Sequence, residues 1–195
     1  MNEWNIGENI TIAEVDKFPV GLYNAQARSY LMKDYPMLPW RKHLTVNELD
    51  KVELLKTNVQ GKYELRLALL KDDELIGWTY GWQDSFDYAS FFMGASVVLP
   101  HYRNRGLYTQ LVQKVIEITD KLGFQSIWST HIMMNNPVIV AKLKLKFHIN
   151  GFESNVNYGN LVKLAYHHND LKNRVANYRA GAIADDEIRD IILGK

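Results

Sequence analysis

The chain has 195 residues, of which 47% are hydrophobic and 23% charged, with a formal net charge of +1 and no cysteine. A length of this order suits one domain with a real core, here expected over residues 1–195 with a short helical tail at about 169–195. The missing cysteines exclude disulfides, thiolate metal sites and a cysteine nucleophile, and the missing basic surplus leaves no electrostatic footprint for nucleic acid.

Residues 1–9 carry Glu3 and Glu8 and lack the basic-then-apolar pattern of an export signal. The longest apolar stretch, residues 89–99, is about half of the ~20 residues that a membrane helix needs. No membrane partner and a cytoplasmic location are therefore expected. Residues 10–14 alternate as a short strand, and residues 19–32 read as a helix opened by Pro19. Thr45 caps a second helix over 45–56. Residues 63–70 and 74–82 form a hairpin about Lys71, Asp72 and Asp73. In its second arm Trp78, Tyr80 and Trp82 share one face.

Residues 90–99 form a near-continuous apolar run, as expected of a strand buried on both faces, and Pro100 ends it. Leu107, Leu111, Val115, Ile118 and Leu122 recur at helical spacing, and Gly123 stands at the C-cap place. Residues 126–133 are strand-like, and Asn136-Pro137 reads as a cap and first-turn proline. Residues 142–149 alternate strictly, which fits a strand or a helix end running into one. Residues 151–166 hold two more strands, and helices are expected over 171–178 and 185–193. The pattern predicts an α+β fold: a mixed, mostly antiparallel sheet of about seven strands with helices on both faces.

The chemistry is concentrated where the buried strand meets the long helix, in Val97, Val98, Leu99, Pro100, His101, Tyr102, Arg103, Asn104, Arg105, Gly106, Leu107, Tyr108 and Thr109. The first turn of a helix offers free N–H groups and the positive end of its dipole, so a loop feeding into it can wrap a phosphate. Gly106 lets the backbone come close, and Arg103 and Arg105 add charge-assisted bonds to a pyrophosphate. The plain alternative is a strand-to-helix connection with solvated arginines, and physical reasoning alone leaves the two level.

Val98-x-Pro100-x-Tyr102 followed by Arg103-x-x-Gly106-x-Tyr108 resembles the acyl-CoA-binding motif of the GNAT superfamily, Gln/Arg-x-x-Gly-x-Gly/Ala, with Tyr108 in the last place. A second segment matches the family's later motif in spacing: Asn135 falls on its Asn, Lys144 on its Lys and Phe147 on its final Phe, with Lys142 where the family has Tyr. This match favours a helix up to Leu145. The resemblance implies acetyl-CoA as co-substrate, with its pantetheine arm held between the strands at 90–99 and 126–133. Val97, Val98 and Leu99 would bond that arm, the Val98 N–H would polarise the thioester carbonyl, and the loop from Arg103 to Thr109 with Asn135 would complete the cofactor site.

An amine would attack the thioester directly, and the departing thiolate would take a proton from Lys142 or Tyr108 in place of the family's tyrosine. A base should remove the amine's proton. Asp84, Asp87 and His131 are the candidates, although for His131 a hydrogen-bonded core histidine is the preferred reading. The acceptor is expected to be a small-molecule or peptide primary amine, the chain a monomer or homodimer, and metal absent. His167-His168 reads as a solvated pair at a strand end. Two rival readings remain: an acyl-CoA sensor without efficient catalysis, and a nucleotide-phosphate binder using the same loop.

Overall fold

The computed structural model describes residues 2–18 and 63–192, with Gly21, Ala25, Gln26, Tyr30 and Val46 singly between them. Apart from those five residues, the helices expected over 19–32 and 45–56 lie outside the described residues. The hairpin arms form where hydrophobic alternation places them, as β3 (Glu64–Lys71) and β4 (Glu74–Gln83), joined through Asp72 and Asp73, both left-handed. The apolar run becomes β5 (Ser90–Val98), and the heptad-like spacing becomes α1 (Leu107–Lys121), which buries Leu107, Leu111, Val112 and Val115 against the sheet. Then come β6 (Ser126–Ile132), α2 (Asn136–Lys144), β7 (His148–Asn155), β8 (Gly159–His167), α3 (Asp170–Arg179) and α4 (Asp186–Ile192). Residues 142–149 thus divide between a helix end and a strand start.

The described strands make one eight-stranded sheet, ordered β1 (Glu3–Asn5), β2 (Ile10–Glu14), β3, β4, β5, β6, β8, β7, one strand more than expected. The addition is β1 (Glu3–Asn5), three residues that carry too little alternation to be read; it pairs with β2 (Ile10–Glu14) at the sheet edge. At the opposite edge, β7 carries a register break between Ile149 and Gly151.

All neighbours are antiparallel except β5 and β6, which pair in parallel over three positions only, from Ser90↔Ser126 to Phe92↔Trp128. Beyond Phe92 the two strands part. The cause is local. β5 is bulged against β4, with Met93 opposite Gly81 and Ala95 opposite Tyr80, so that Gly94 is the extra residue. A bulge bends its strand and strengthens the twist, and this one falls where pairing to β6 stops. It also resets which face each residue serves: Phe91, Met93 and Val98 pack into the main core beneath α1, whereas Ala95 and Val97 turn to the opposite face beside Trp78.

The backbone at the bulge is crowded. A Cβ on Gly94 would lie 2.4 Å from the Trp82 ring, and one on Gly81 would lie 2.4 Å from the Phe92 carbonyl and 2.6 Å from the Phe91 ring. Backbone and core aromatic atoms yield poorly, so Gly81→Ala should lower unfolding stability by about 1–3 kcal/mol, read as a lower denaturant midpoint at unchanged m-value.

Candidate active site

Strand β5 ends in a short 3-10 turn (Pro100–Tyr102), and the chain reaches α1 through Arg103, Asn104, Arg105 and Gly106. Asn104 and Gly106 are both left-handed, at φ 62° and 76°. Alternation of this kind turns successive backbone N–H groups toward one concave side. Among the described residues no side chain caps α1, and no acidic residue stands in its first turn. The N–H groups of Leu107, Tyr108 and Thr109 precede the first intrahelical bond, which Gln110 donates to the Gly106 carbonyl at 3.1 Å. The helix start is therefore an uncompensated positive pole. Arg103 is exposed but anchored: its Nε donates to the Val98 carbonyl at 3.0 Å. Arg105 remains half-exposed, 3.8 Å from Glu8 and 5.7 Å above the Tyr102 ring.

Backbone direction separates the three residues expected on the strand. Leu99 donates its N–H to the Ile76 carbonyl at 2.9 Å, toward β4. With the period of a strand, Val97 also faces β4, while Val98 and Ser96 turn their peptide groups toward the gap between β5 and β6. Of Val97, Val98 and Leu99, Val98 is the one whose N–H is presented there.

A cavity of 780 Å³ fills that gap, a volume in the range of small-molecule sites, and its walls include Val98, Arg103, Asn104, Tyr108, Asn135 and Lys142. Gly106, Leu107, Thr109, Val97 and His131 also border it; Leu99 and Arg105 do not. Asn135 precedes α2 without capping it by its side chain, and Pro137 takes the first turn; the helix starts one residue earlier than Asn136-Pro137 suggested.

Lys142 is the unusual member. It is fully buried at 0% exposure, and it faces no carboxylate among the described residues. Its Nζ donates to Ser129 Oγ at 2.6 Å, lies 3.5 Å from Met93 Sδ and stands 4.7 Å above the Phe147 ring. Burial lowers its pKa from 10.5 to about 7, because the charged form loses its hydration. Ser129 Oγ is also 2.9 Å from His131 Nε2. Since Lys142 donates to the hydroxyl, the hydroxyl proton is free to point at His131. Burial and then the Lys142 charge push the imidazole down to about 2, so His131 stays neutral and accepts. Burial alone pushes the Tyr108 phenol well above its ordinary value.

The sheet register shows that the cavity crosses the sheet. Ser129 and His131 stand opposite Leu164 and Val162, which belong to the core beneath α1. Ile132 stands opposite Leu161, and Leu161 opposite Glu153, so this row lies on the other face. Both rows border the cavity. Glu153 brings a carboxylate that sequence reasoning missed; only its register in β7, invisible before the hairpin is aligned, could have shown it. Ser129 was legible as a neighbour of His131 on one strand face, but not as the partner of Lys142.

Asp84 and Asp87 are not brought to the cavity. Asp84 accepts from the Phe86 N–H at 2.7 Å and from Trp128 Nε1 at 2.9 Å, and Asp87 accepts from the Ala89 N–H at 3.1 Å, so both organise the turn before β5. His167 and His168 are not a solvated pair either: His168 Nε2 lies 3.1 Å from Thr119 Oγ1, and the His167 ring stacks on His148 with centroids 5.3 Å apart. Phe92 alone of the aromatic row across Tyr80, Trp82 and Trp128 borders the cavity.

Solved structures share the overall fold. The ribosomal-protein-S5-alanine acetyltransferase from Vibrio fischeri is 14% identical, with a TM-score of 0.63 over 87% of this chain and 98% of that one. The N-acetyltransferase from Staphylococcus aureus Mu50 is 17% identical, with a TM-score of 0.61 over 82% and 99%. The spermidine N-acetyltransferase from Vibrio cholerae, in complex with CoA and spermine, is 14% identical, with a TM-score of 0.61 over 83% and 96%. No curated protein matches the sequence. The profile of the Acetyltransferase (GNAT) family matches residues 25–145, more than half of the chain, and the protein belongs to that family.

The buried lysine has a thermodynamic consequence. A pKa lowered by folding from 10.5 to about 7 means that the unfolded chain binds more protons between those values. Stability should therefore rise with pH from about 7 to about 10.5. Lys142→Met should remove this share of the slope and stabilise the protein at pH 6, on the order of a few kcal/mol; urea unfolding of both proteins across that range checks it.

Proposed function

We propose that the protein transfers an acetyl group from acetyl-CoA to a primary amine by direct attack of the amine on the thioester. The observation that carries this reading is the cavity through the parted strands, which ends at an uncapped helix start flanked by two left-handed loop residues. The N–H groups of Leu107, Tyr108 and Thr109 and the loop from Arg103 to Gly106 would receive the pyrophosphate, with Arg105 at the outer rim and Asn135 along the arm. Val98 N–H, turned into the gap, would hold the thioester oxygen as it gains charge.

The proton chemistry follows from Lys142. The amine nitrogen loses a proton to water as the new C–N bond forms, and the breaking C–S bond releases a thiolate of ordinary pKa about 8.5. An ammonium of pKa about 7 gives up its proton to such a thiolate favourably. Lys142 is thus the donor, and Tyr108, whose phenol is held above its ordinary value, binds its proton too tightly to compete. Ser129 orients the ammonium and His131 orients Ser129. An imidazole held at about 2 keeps no proton near neutrality, so we assign His131 to orientation and not to general base. Glu153, across the sheet from the cofactor loop, is the carboxylate that would meet the acceptor's ammonium before it is deprotonated.

Thermal stabilisation by acetyl-CoA, with CoA and ATP as comparators, tests the donor. A ligand of the folded state raises the Tm with its concentration over Kd. Acetyl-CoA should stabilise, and Arg103→Ala with Arg105→Ala should weaken the effect. No shift at millimolar acetyl-CoA would sink the reading, while binding without turnover on a broad amine panel would favour an acyl-CoA sensor. Lys142→Met should lower kcat by about 10²–10⁴-fold and remove a fall in rate above pH about 7. Ser129→Ala, which removes an acceptor from the ammonium, should move that fall to lower pH. Glu153→Gln should raise the KM for the amine while leaving the KM for acetyl-CoA near its original value.

A further inference from the structure

Behind the sheet's far edge lies a second cleft that the acetyl-transfer site does not use. It has a volume of 390 Å³ and lies between the β7–β8 hairpin and α3. His148 of β7 and His167 of β8 form part of its floor, and Lys172 and Arg179 of α3 form its sides. The two imidazoles stack at 5.3 Å, with an angle of 25° between their planes. Nδ1 of each is buried and has no hydrogen-bond partner among the described residues. His148 is only 5% exposed. Buried ring nitrogens normally find a partner, and two adjacent ones without any call for something that fills the cleft.

The charges say what it would be. Lys172 and Arg179 pair with no carboxylate among the described residues. Among the described residues every ionisable side chain on the cleft is basic, and together they offer an ammonium, a guanidinium and two imidazoles. We propose that this cleft is a binding site for a small oxyanion, a phosphate or carboxylate group of a free metabolite, held by Lys172 and Arg179 and by Nδ1–H groups of His148 and His167. The proton affinities agree with an unbalanced positive field: burial holds both imidazoles below their ordinary value, and His167, at about 4, is lowered further by Lys172, His148 and His168. An anion between them would satisfy both ring nitrogens and both cations at once. No part of this rests on the acetyl-transfer reading.

Inorganic phosphate and citrate are suitable probes, because one carries only phosphate oxygens and the other only carboxylates. Imidazole NMR resonances of His148 and His167 would be followed at pH 7 and constant ionic strength, with the Gly106 amide as a separate reporter of the loop before α1. At least one probe should shift both histidines saturably. In the double variant Lys172→Gln with Arg179→Gln, both exposed on α3, the affinity should fall at least tenfold while the Gly106 response stays unchanged. Linear shifts that sodium chloride reproduces, or equal affinity in the double variant, would overturn the proposal. A matching melting temperature confirms that the variant is folded, so that a lost response is read as lost binding.

Discussion

The parting of β5 from β6 is the constraint on which the rest of this protein depends. A parallel pair that stays hydrogen-bonded would close the sheet and leave room for nothing between its strands. Here pairing stops after Phe92 and Trp128 because β5 carries an extra residue at Gly94. That single insertion bends the strand away and switches the faces served by the residues after it. It leaves the peptide groups of Ser96 and Val98 turned toward an open gap. The space that results is bordered by the bare start of α1, and Arg103 braces the mouth by holding the Val98 carbonyl. Without the bulge there is neither cavity nor strand edge to line it.

Burying a cation next to that gap is costly, since among the described residues no carboxylate accompanies Lys142 and its contacts are a hydroxyl, a thioether and an aromatic face. Such a group persists in a core only with its charge made labile. A lysine of ordinary proton affinity would hold its proton throughout the neutral range, and one stripped of hydration can exchange it. The neutral partner at the other end of the chain, His131, matters for the same reason: a second fixed charge there would raise the cost further. The pair thus divides the roles, one side chain charged but able to release its proton, the other neutral and able to accept a hydrogen bond.

Much of this was legible in the sequence. The strands at Ile10–Glu14, β3, β4, β5 and β6, and α1, lie within a residue or two of where alternation and helical spacing put them, because each buries a continuous apolar face. For residues 103–109 the residue types alone left a phosphate-binding loop and a plain strand-to-helix connection level, and only the family resemblance favoured the first. What was hidden was long-range. β1 is too short to carry a pattern, and the bulge at Gly94 is a property of pairing with β4. The bond from Lys142 to Ser129 spans 13 residues and joins a helix to a strand, and Glu153 reaches the cavity only through the alignment of β6, β8 and β7. His167 and His168 misled because their partners, His148 and Thr119, are 19 and 49 residues away. Local pattern specifies elements, and charge placement is decided by register.

An open eight-stranded sheet has two edges, and each carries a ready template for another copy of the chain. With a formal net charge of only +1, mutual repulsion between copies is weak near neutrality. Protection against runaway stacking must then be geometric. β1 supplies it at one edge by lasting three residues, too short to nucleate a ladder, and β7 supplies it at the other by breaking register at Ile149–Gly151 and carrying an exposed Glu153. The same glutamate that borders the cavity thereby also guards the rim, so colloidal behaviour and the lining of the cavity are tied to one side chain.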